Sequence, residues 1–565
     1  MPVLETLAFT IGTSGLLPVV KAGFCIARAI HEMDSVPSNV ISYHTKLDIE
    51  SIRFIQWLEN VFGTSIYDHE DSFDPYTADL PESLEAESPL DIKPAIYRAL
   101  WEVQKLLQEV GKAFEDLGVK VKVPFGTIPN TNTSKLDKEA VVKQKTEMTN
   151  SVLKNLSAVK KFTWDISLNK SSPGETLEKL HESLEAWNQK LEGLVCRHRE
   201  NIDRAVVMSR ALGRRSQPNT LDVMQNISFP KSPELSDGAR FKLDRLQILG
   251  ENSDKLVERT DAGKWTLPTD GSSNRKVQTM QTSRGLVSVI VEWKATDSQL
   301  TPEQKRIPMK RTAMLATILG HESKPPGLRS LDCIGWTTQM TSVENFGLIY
   351  KIPEFAQAGS KPTSLDAAFA VLVPTLSERF QLATALALAM LEYHCMSWLH
   401  KAFFSSNVLL FKGADGKLVL SKPYVSGFEY SRPDDAQQIT LPNDVHGRAS
   451  FDCRQHPDVY RGGDGYRYSK KYDFYSLGFV LLEIALWRRV KEDTFRIGMN
   501  SDSVLKVLNS LSKDVGHRMG DKYRNAVMTC LNWEDDEEDT DQFYLKVVQP
   551  LTTCHCTRVI GDLSA

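Results

Sequence analysis

Between Ile92 and Leu117 the apolar residues Ile92, Ile96, Leu100, Val103, Leu107, Val110, Phe114 and Leu117 follow one another at steps of three and four only. Such spacing puts every one of them on a single face of an α-helix. A helix striped along one side has to bury that stripe against another helix or a sheet. Two further segments carry the same period. One is Ser38–Phe62, which follows Pro37 and has Val40, Leu47, Phe54, Trp57, Leu58 and Val61; the other is Gly174–Ala211, with Leu177, Leu180, Leu184, Trp187, Leu191, Leu194 and Ile202. A first helix is predicted over Val3–Met33 and a short one over Glu147–Phe162. Striped helices that bury their faces on one another make a bundle, so residues 1–212 are expected to be an all-α domain. The stretch Ser65–Asp91 interrupts it with nine Asp or Glu and no Lys or Arg, and reads as a solvated loop.

The pattern changes after Gly213. Residues 213–240 are rich in Pro, Ser, Asn and Gly and read as a linker. Leu286–Trp293, LVSVIVEW, is β-branched and strand-like. A helical run over Pro302–Leu319 and strands over Ser330–Thr337 and Phe346–Ile352 follow, and from Ser377 the chain reads as mostly helical. The expected fold class is therefore multidomain: an all-α bundle, then an α+β part whose small β-rich lobe (241–362) precedes a larger helical lobe (363–565).

Bulk properties narrow the function classes. A net charge of −4 over 565 residues gives no reason to expect nucleic acid as a partner. Eight cysteines stand without a CxxC pair, as in a reducing compartment, and Cys554-His555-Cys556 lacks zinc-site spacing. The opening MPVLETLAF has no basic region of the kind a secretory signal needs. Thr6–Val20 is uncharged, but at fifteen residues with Gly12, Gly15 and Pro18 it falls short of the roughly 20 apolar residues of a spanning helix. These features predict a cytoplasmic chain.

Chemistry concentrates in the second half. In WLHKAFFSSNVLLF, residues 398–411, a histidine and an asparagine stand seven apart, His400 and Asn407, ahead of a short apolar strand. VEWK ends at Lys294; GFEYSR spans 427–432; DFYSLG spans 473–478. In chain order, with the long helical segment RFQLATALALAMLEYHCMSWLHK between VEWK and the His400 loop, these stretches resemble a eukaryotic protein kinase, in particular the divergent kinase-like domains of filamentous fungi. The resemblance covers about residues 245–550. It implies a two-lobed kinase-like fold, Lys294 and Asn407 as nucleotide-binding positions, and Asp473 as the anchor of the catalytic-loop backbone. Without the resemblance, Lys294 is a surface lysine at a strand end and Asn407 a turn-capping asparagine.

Phosphoryl transfer needs a Gly-rich loop, a lysine held by a helix glutamate, metal-binding groups and a base. No G-x-G-x-x-G precedes Lys294. The helix that should carry its glutamate reads MKRTAM at that level. Ala402 stands at the base, Phe404 at the catalytic-loop lysine and Gly427 at the metal-binding aspartate. HPDVY, 456–460, lacks the glutamate that Arg518 would pair with. The expectation is a pseudokinase with no required cofactor, retaining at most weak ATP binding, with no catalytic residues and no metal site.

The N-terminal region is similar to the fungal HeLo domain. The likeness rests on its near-uncharged first helix, the run Lys-Lys-Phe-Thr-Trp-Asp at 160–165 and the LHESLEAWNQKLEGL helix. That resemblance implies programmed cell death of the heterokaryon-incompatibility type, with protein partners or self-association through the helical domain and peripheral membrane contact on activation. Two alternatives stand beside it: a divergent active kinase, for which Asp434 and Asp435 are the candidate metal ligands, and a scaffold without membrane action.

Overall fold

The computed structural model describes helical residues between 42 and 57, residues 103 and 106, and then 173–192, 200–213, 218–227, 234–249, 256–260, 265–267, 274–283, 285–295, 306–340, 344–357, 359–428, 431–433, 453–460, 468–490, 501–533 and 540–554. The helices expected over Val3–Met33 and Glu147–Phe162, the acidic stretch Ser65–Asp91, and Asp434 and Asp435 lie outside the described residues. The chain divides into two compact units, Met1–Ala239 and Arg240–Ala565.

In the first unit every described element is helical. Helix α1 (Pro173–Glu192) buries Leu180, Leu184 and Leu191, three members of its predicted stripe. It meets the segment around residue 53 through a buried polar cluster. Arg53 pairs with Glu50 at 2.8 Å and with Glu192 at 2.7 Å, and Asn188 donates to the Glu50 backbone carbonyl and carboxylate. Trp57 donates its indole N–H to the Leu191 carbonyl. Helix α2 (Glu200–Gly213) follows.

The predicted linker is not irregular chain. Pro218–Gln225 forms helix α3 and Glu234–Leu249 forms helix α4. Leu221 and Met224 lie three apart and bury, as do Leu235 and Ala239 at four. Phe241, Leu243 and Ile248 of α4 bury as well, and the surrounding Ser, Asn and Pro hide the signal of the 213–240 stretch from composition. The second half of α4 belongs to the second unit. There Lys242 donates to the Cys395 carbonyl at 2.7 Å, Arg245 to the Ser397 carbonyl at 3.1 Å, and Asp244 meets His321 at 3.0 Å.

The second unit opens on a four-stranded antiparallel sheet of order β1-β2-β4-β3: β1 (Arg275–Thr282), β2 (Gly285–Ala295), β3 (Cys333–Met340) and β4 (Glu344–Lys351). Strands β2, β3 and β4 occur close to where β-branched and aromatic residues predict them. Strand β1, RKVQTMQT, carries almost no hydrophobic signal; it is held by pairing with β2 along its whole length. Helix α5 (Arg306–Leu319) packs on β3 and β4.

The helical remainder is built on helix α7 (Leu376–Cys395) and helix α8 (Lys470–Leu486), which follow the short helix α6 (Leu365–Val371). Thr375 and Glu378 close the start of α7 with a reciprocal capping box. Helix α8 is apolar on nearly all sides because neighbours cover it, helix α9 (Ser501–Met519) and helix α10 (Asp521–Leu531) among them. A methyl group at Gly478 would come within 2.7 Å of Cys530 Cβ, so α8 and α10 touch where only glycine fits. Among the described residues no helix is long and apolar enough to cross a membrane.

Candidate functional site

The loop 400–407 joins two short strand pieces, β6 (Trp398–Leu399) and β7 (Val408–Leu410). A buried carboxylate holds its first end and a buried arginine its far end. Asp473, near the start of α8, accepts the His400 N–H at 2.8 Å, the Lys401 N–H at 2.9 Å and the Tyr468 hydroxyl at 2.9 Å; the His394 ring stands 3.3 Å away. Burial opposes ionisation of this carboxyl. The hydrogen bond and charge of His394, together with His400, outweigh it and hold Asp473 below the ordinary carboxylate range. The expected anchoring role of Asp473 is thus present in atomic detail. It fixes Lys401 in a left-handed conformation, φ 66°.

His400 itself is fully buried among Tyr393, Phe403 and Phe428. Burial drives its pKa down to about 4, against the pull of Asp473, so it is a neutral packing group. Ala402 is also buried, its N–H turned to His400 Nδ1 at 3.3 Å. No proton acceptor replaces the missing carboxylate on this side chain.

The far end of the loop meets the sheet. Arg275 of β1 and Glu292 of β2 are directly opposed across the ladder, and Arg275 Nε lies 2.7 Å from Glu292 Oε1. Both side chains are shielded from solvent, 9% and 2% exposed, which decides that this is an interior ion pair rather than a surface one. Each partner has further bonds. Arg275 donates to the Ser406 carbonyl at 3.0 Å and to Asn407 Oδ1. Glu292 accepts the Gly427 N–H at 3.0 Å and the Tyr350 hydroxyl at 3.4 Å. Asn407 turns its amide nitrogen to the Ala402 carbonyl at 2.8 Å, and its own carbonyl accepts from the N–H and hydroxyl of Ser426. A closed cluster of Arg275, Glu292, Asn407 and Gly427 results.

Of the two predicted binding positions, Asn407 belongs to this cluster. Lys294 is half-buried two residues along β2, opposite Phe346 of β4. Glu292 of the VEWK stretch pairs with Arg275, which reaches the loop, and accepts the Gly427 N–H. Period-two alternation in a strand would have placed Glu292 and Lys294 on the same face; the role of Arg275 had no local signal at all.

Both faces of the Asn407 amide are committed. Gly427 has φ +87°, and a Cβ there would stand 2.3 Å from Asn407 Nδ2, so the metal-binding carboxylate implied by the resemblance has no room. Among the described residues no group of three His, Cys, Asp or Glu could hold a metal ion. From α5, where the resemblance puts a glutamate, Arg311 instead donates to the Ser431 carbonyl at 2.9 Å, while the Ser431 hydroxyl bonds the His400 carbonyl.

Residues 296–547 match the model of a family described as a domain of unknown function (DUF7580). No curated protein matches the chain.

Proposed function

We propose that residues 241–565 are a catalytically silent, kinase-like regulatory domain, and that the chain is a signalling protein of the fungal cell-death or heterokaryon-incompatibility type. In this reading the HeLo-like helical region is the effector, and the kinase-like region restrains or releases it in response to a protein partner. The carrying observation is the asymmetry of the loop 400–407. Its backbone anchor, Asp473, is complete, while the positions that would do phosphoryl transfer hold Ala402 and Gly427, and the space between sheet and loop is filled by the Arg275–Glu292 pair. A domain of this kind acts by shifting between arrangements to which partners bind unequally.

The test is phosphate transfer from labelled ATP by the purified full chain. No transfer above a buffer control is expected, either to itself or to a generic acceptor. Ala402→Asp and the double change Ala402→Asp/Gly427→Asp should not restore it, because a side chain at 427 strikes Asn407. Transfer that disappears in Lys294→Met would sink this reading and favour the divergent-kinase alternative.

A further inference from the structure

Trp487 caps the end of α8 in a left-handed conformation, φ 49°, and gathers a surface around itself. Its indole N–H bonds the Leu372 carbonyl, its ring meets Phe369 edge-on at 5.1 Å, and the Arg379 guanidinium lies 5.4 Å from its centroid. The α6–α7 connection therefore runs directly over it. On that connection Val373 is 85% exposed and Val371 71%, and Leu376 is exposed at the first turn of α7. Single exposed aliphatic residues are ordinary; three within six positions, beside arginines, are not.

Basic side chains gather around them among the described residues, with carboxylates interspersed. Arg489 follows Trp487 by two residues and is exposed. Phe380 packs on Tyr523 at 5.9 Å, which brings the start of α7 to the α9–α10 junction where Arg518 stands exposed. Burial, and then the neighbouring charge of Arg518, pull the Arg379 guanidinium below its ordinary value. Arg379 Nε is buried without a hydrogen-bond partner. The carboxylates among these arginines are Glu378, which closes the capping box, Asp366, which accepts from Ser364 and the Ala367 N–H with Arg489 at 3.9 Å, and Asp521, which pairs with Arg524.

We propose that this face, Val371, Val373 and Leu376 rimmed by Arg379, Arg489 and Arg518, docks on an anionic lipid surface. The aliphatic side chains stand out from the protein instead of lining a groove, so they suit insertion among headgroups better than reception of a peptide. The arginines supply the attraction to negative headgroups, which reaches about a Debye length. The contact would be peripheral, as for apolar side chains seated at the headgroup boundary. It is independent of the N-terminal segment and of whether the domain is kinase-like.

The experiment is co-sedimentation of the full chain with vesicles of phosphatidylcholine alone or with about one third phosphatidylserine. The native chain should bind the anionic vesicles better, and added salt should release it. Val373→Asp/Arg489→Gln alters two exposed positions and should leave the thermal midpoint unchanged. It should bind anionic vesicles at least about tenfold more weakly, since each basic group near such a surface contributes about fivefold, while binding to neutral vesicles, which reads out any other membrane-active segment, falls far less. Leu376→Ser/Arg518→Gln is the second variant with the same expected loss. Equal binding of native and variant chains to anionic vesicles overturns the proposal. So does a native chain with no preference for them, whether or not an acidic protein later proves to cover this face.

Discussion

The two ends of the loop 400–407 are tied down by different kinds of contact, the first by a buried carboxylate and the second by a buried arginine that is itself paired with one. At the first end Asp473 receives from the loop the backbone N–H groups of His400 and Lys401, while the Tyr468 hydroxyl and the His394 ring reach it from outside the loop. The backbone contacts are indifferent to which side chains stand at those positions. At the second end Glu292 and Arg275 contact one another and then Asn407, Ser406 and Gly427, so identity matters at nearly every position. The first arrangement orders a backbone. The second fills a space. A chain can therefore keep the architecture of a loop at one end while the other end is committed to a static ion pair, and the chemistry of the loop is decided at the second end.

The comparison breaks most severely at the first end. Asp473→Ala leaves two backbone N–H groups, the Tyr468 hydroxyl and His394 without their acceptor in the interior. Each buried orphan costs about 1–3 kcal/mol, and together they approach the whole stability of a typical domain, about 5–15 kcal/mol. The expected outcome is loss of cooperative unfolding of the second unit, read by urea denaturation. A variant that unfolds cooperatively with nearly native midpoint would mean that the loop is ordered by something other than Asp473.

At the second end the expected loss is smaller and separable. Removing one partner of a buried ion pair strands the other and costs about 3–5 kcal/mol, whereas replacing both by apolar groups is often close to neutral. Glu292→Leu and Arg275→Met should each lower stability by that order. The double variant should recover much of it, giving a large coupling energy in the cycle. If the two losses simply add, the pair is not the unit described here, and Gly427 and Asn407 are held by other contacts.

How much of this was legible beforehand divides along the same line. The stretch DFYSLG marks Asp473 only through its resemblance to a kinase motif whose aspartate anchors a loop backbone. Ala402 and Gly427 were readable as substitutions within a recurring frame. Strands β2, β3 and β4 announced themselves by β-branched residues. Strand β1 did not, since Lys, Gln and Thr predominate and its stability comes from its partner. Arg275 sits on that strand, 131 and 132 residues before the loop atoms it contacts. No local pattern encodes a pairing at that distance. The helices at 218–225 and 234–249 were hidden for another reason: the Pro, Ser, Asn and Gly of 213–240 mask the apolar residues Leu221, Met224, Leu235 and Ala239, which bury.

The smallest expected effect concerns a third carboxylate, one with neither a backbone to order nor a full ion pair. Glu392 on α7 is fully buried, and its Oε2 has no hydrogen-bond partner. Burial pushes its pKa up to about 8, with the charge of Arg329 pulling the other way. Glu483 is raised by burial to about 7. An unfolded glutamate releases its proton near 4.5, so between that value and 8 the folded chain binds more protons than the unfolded one, and stability falls as pH rises. His400 acts in the opposite direction. Its folded value of about 4 lies under the ordinary 6.5, so between these its contribution grows with pH. From about pH 6.5 to 8 the two glutamates act alone among these three groups. The slope there should be negative and bounded by about 1.4 kcal/mol per pH unit for each proton. Urea unfolding at pH 6.5, 7.25 and 8 should show the decline in the native chain, and Glu392→Gln should flatten part of it, leaving the share of Glu483. Parallel profiles for the two chains would place Glu392 in contact with water or with a counter-charge. Its contrast with Asp473, held below the ordinary range by several donors, would then disappear.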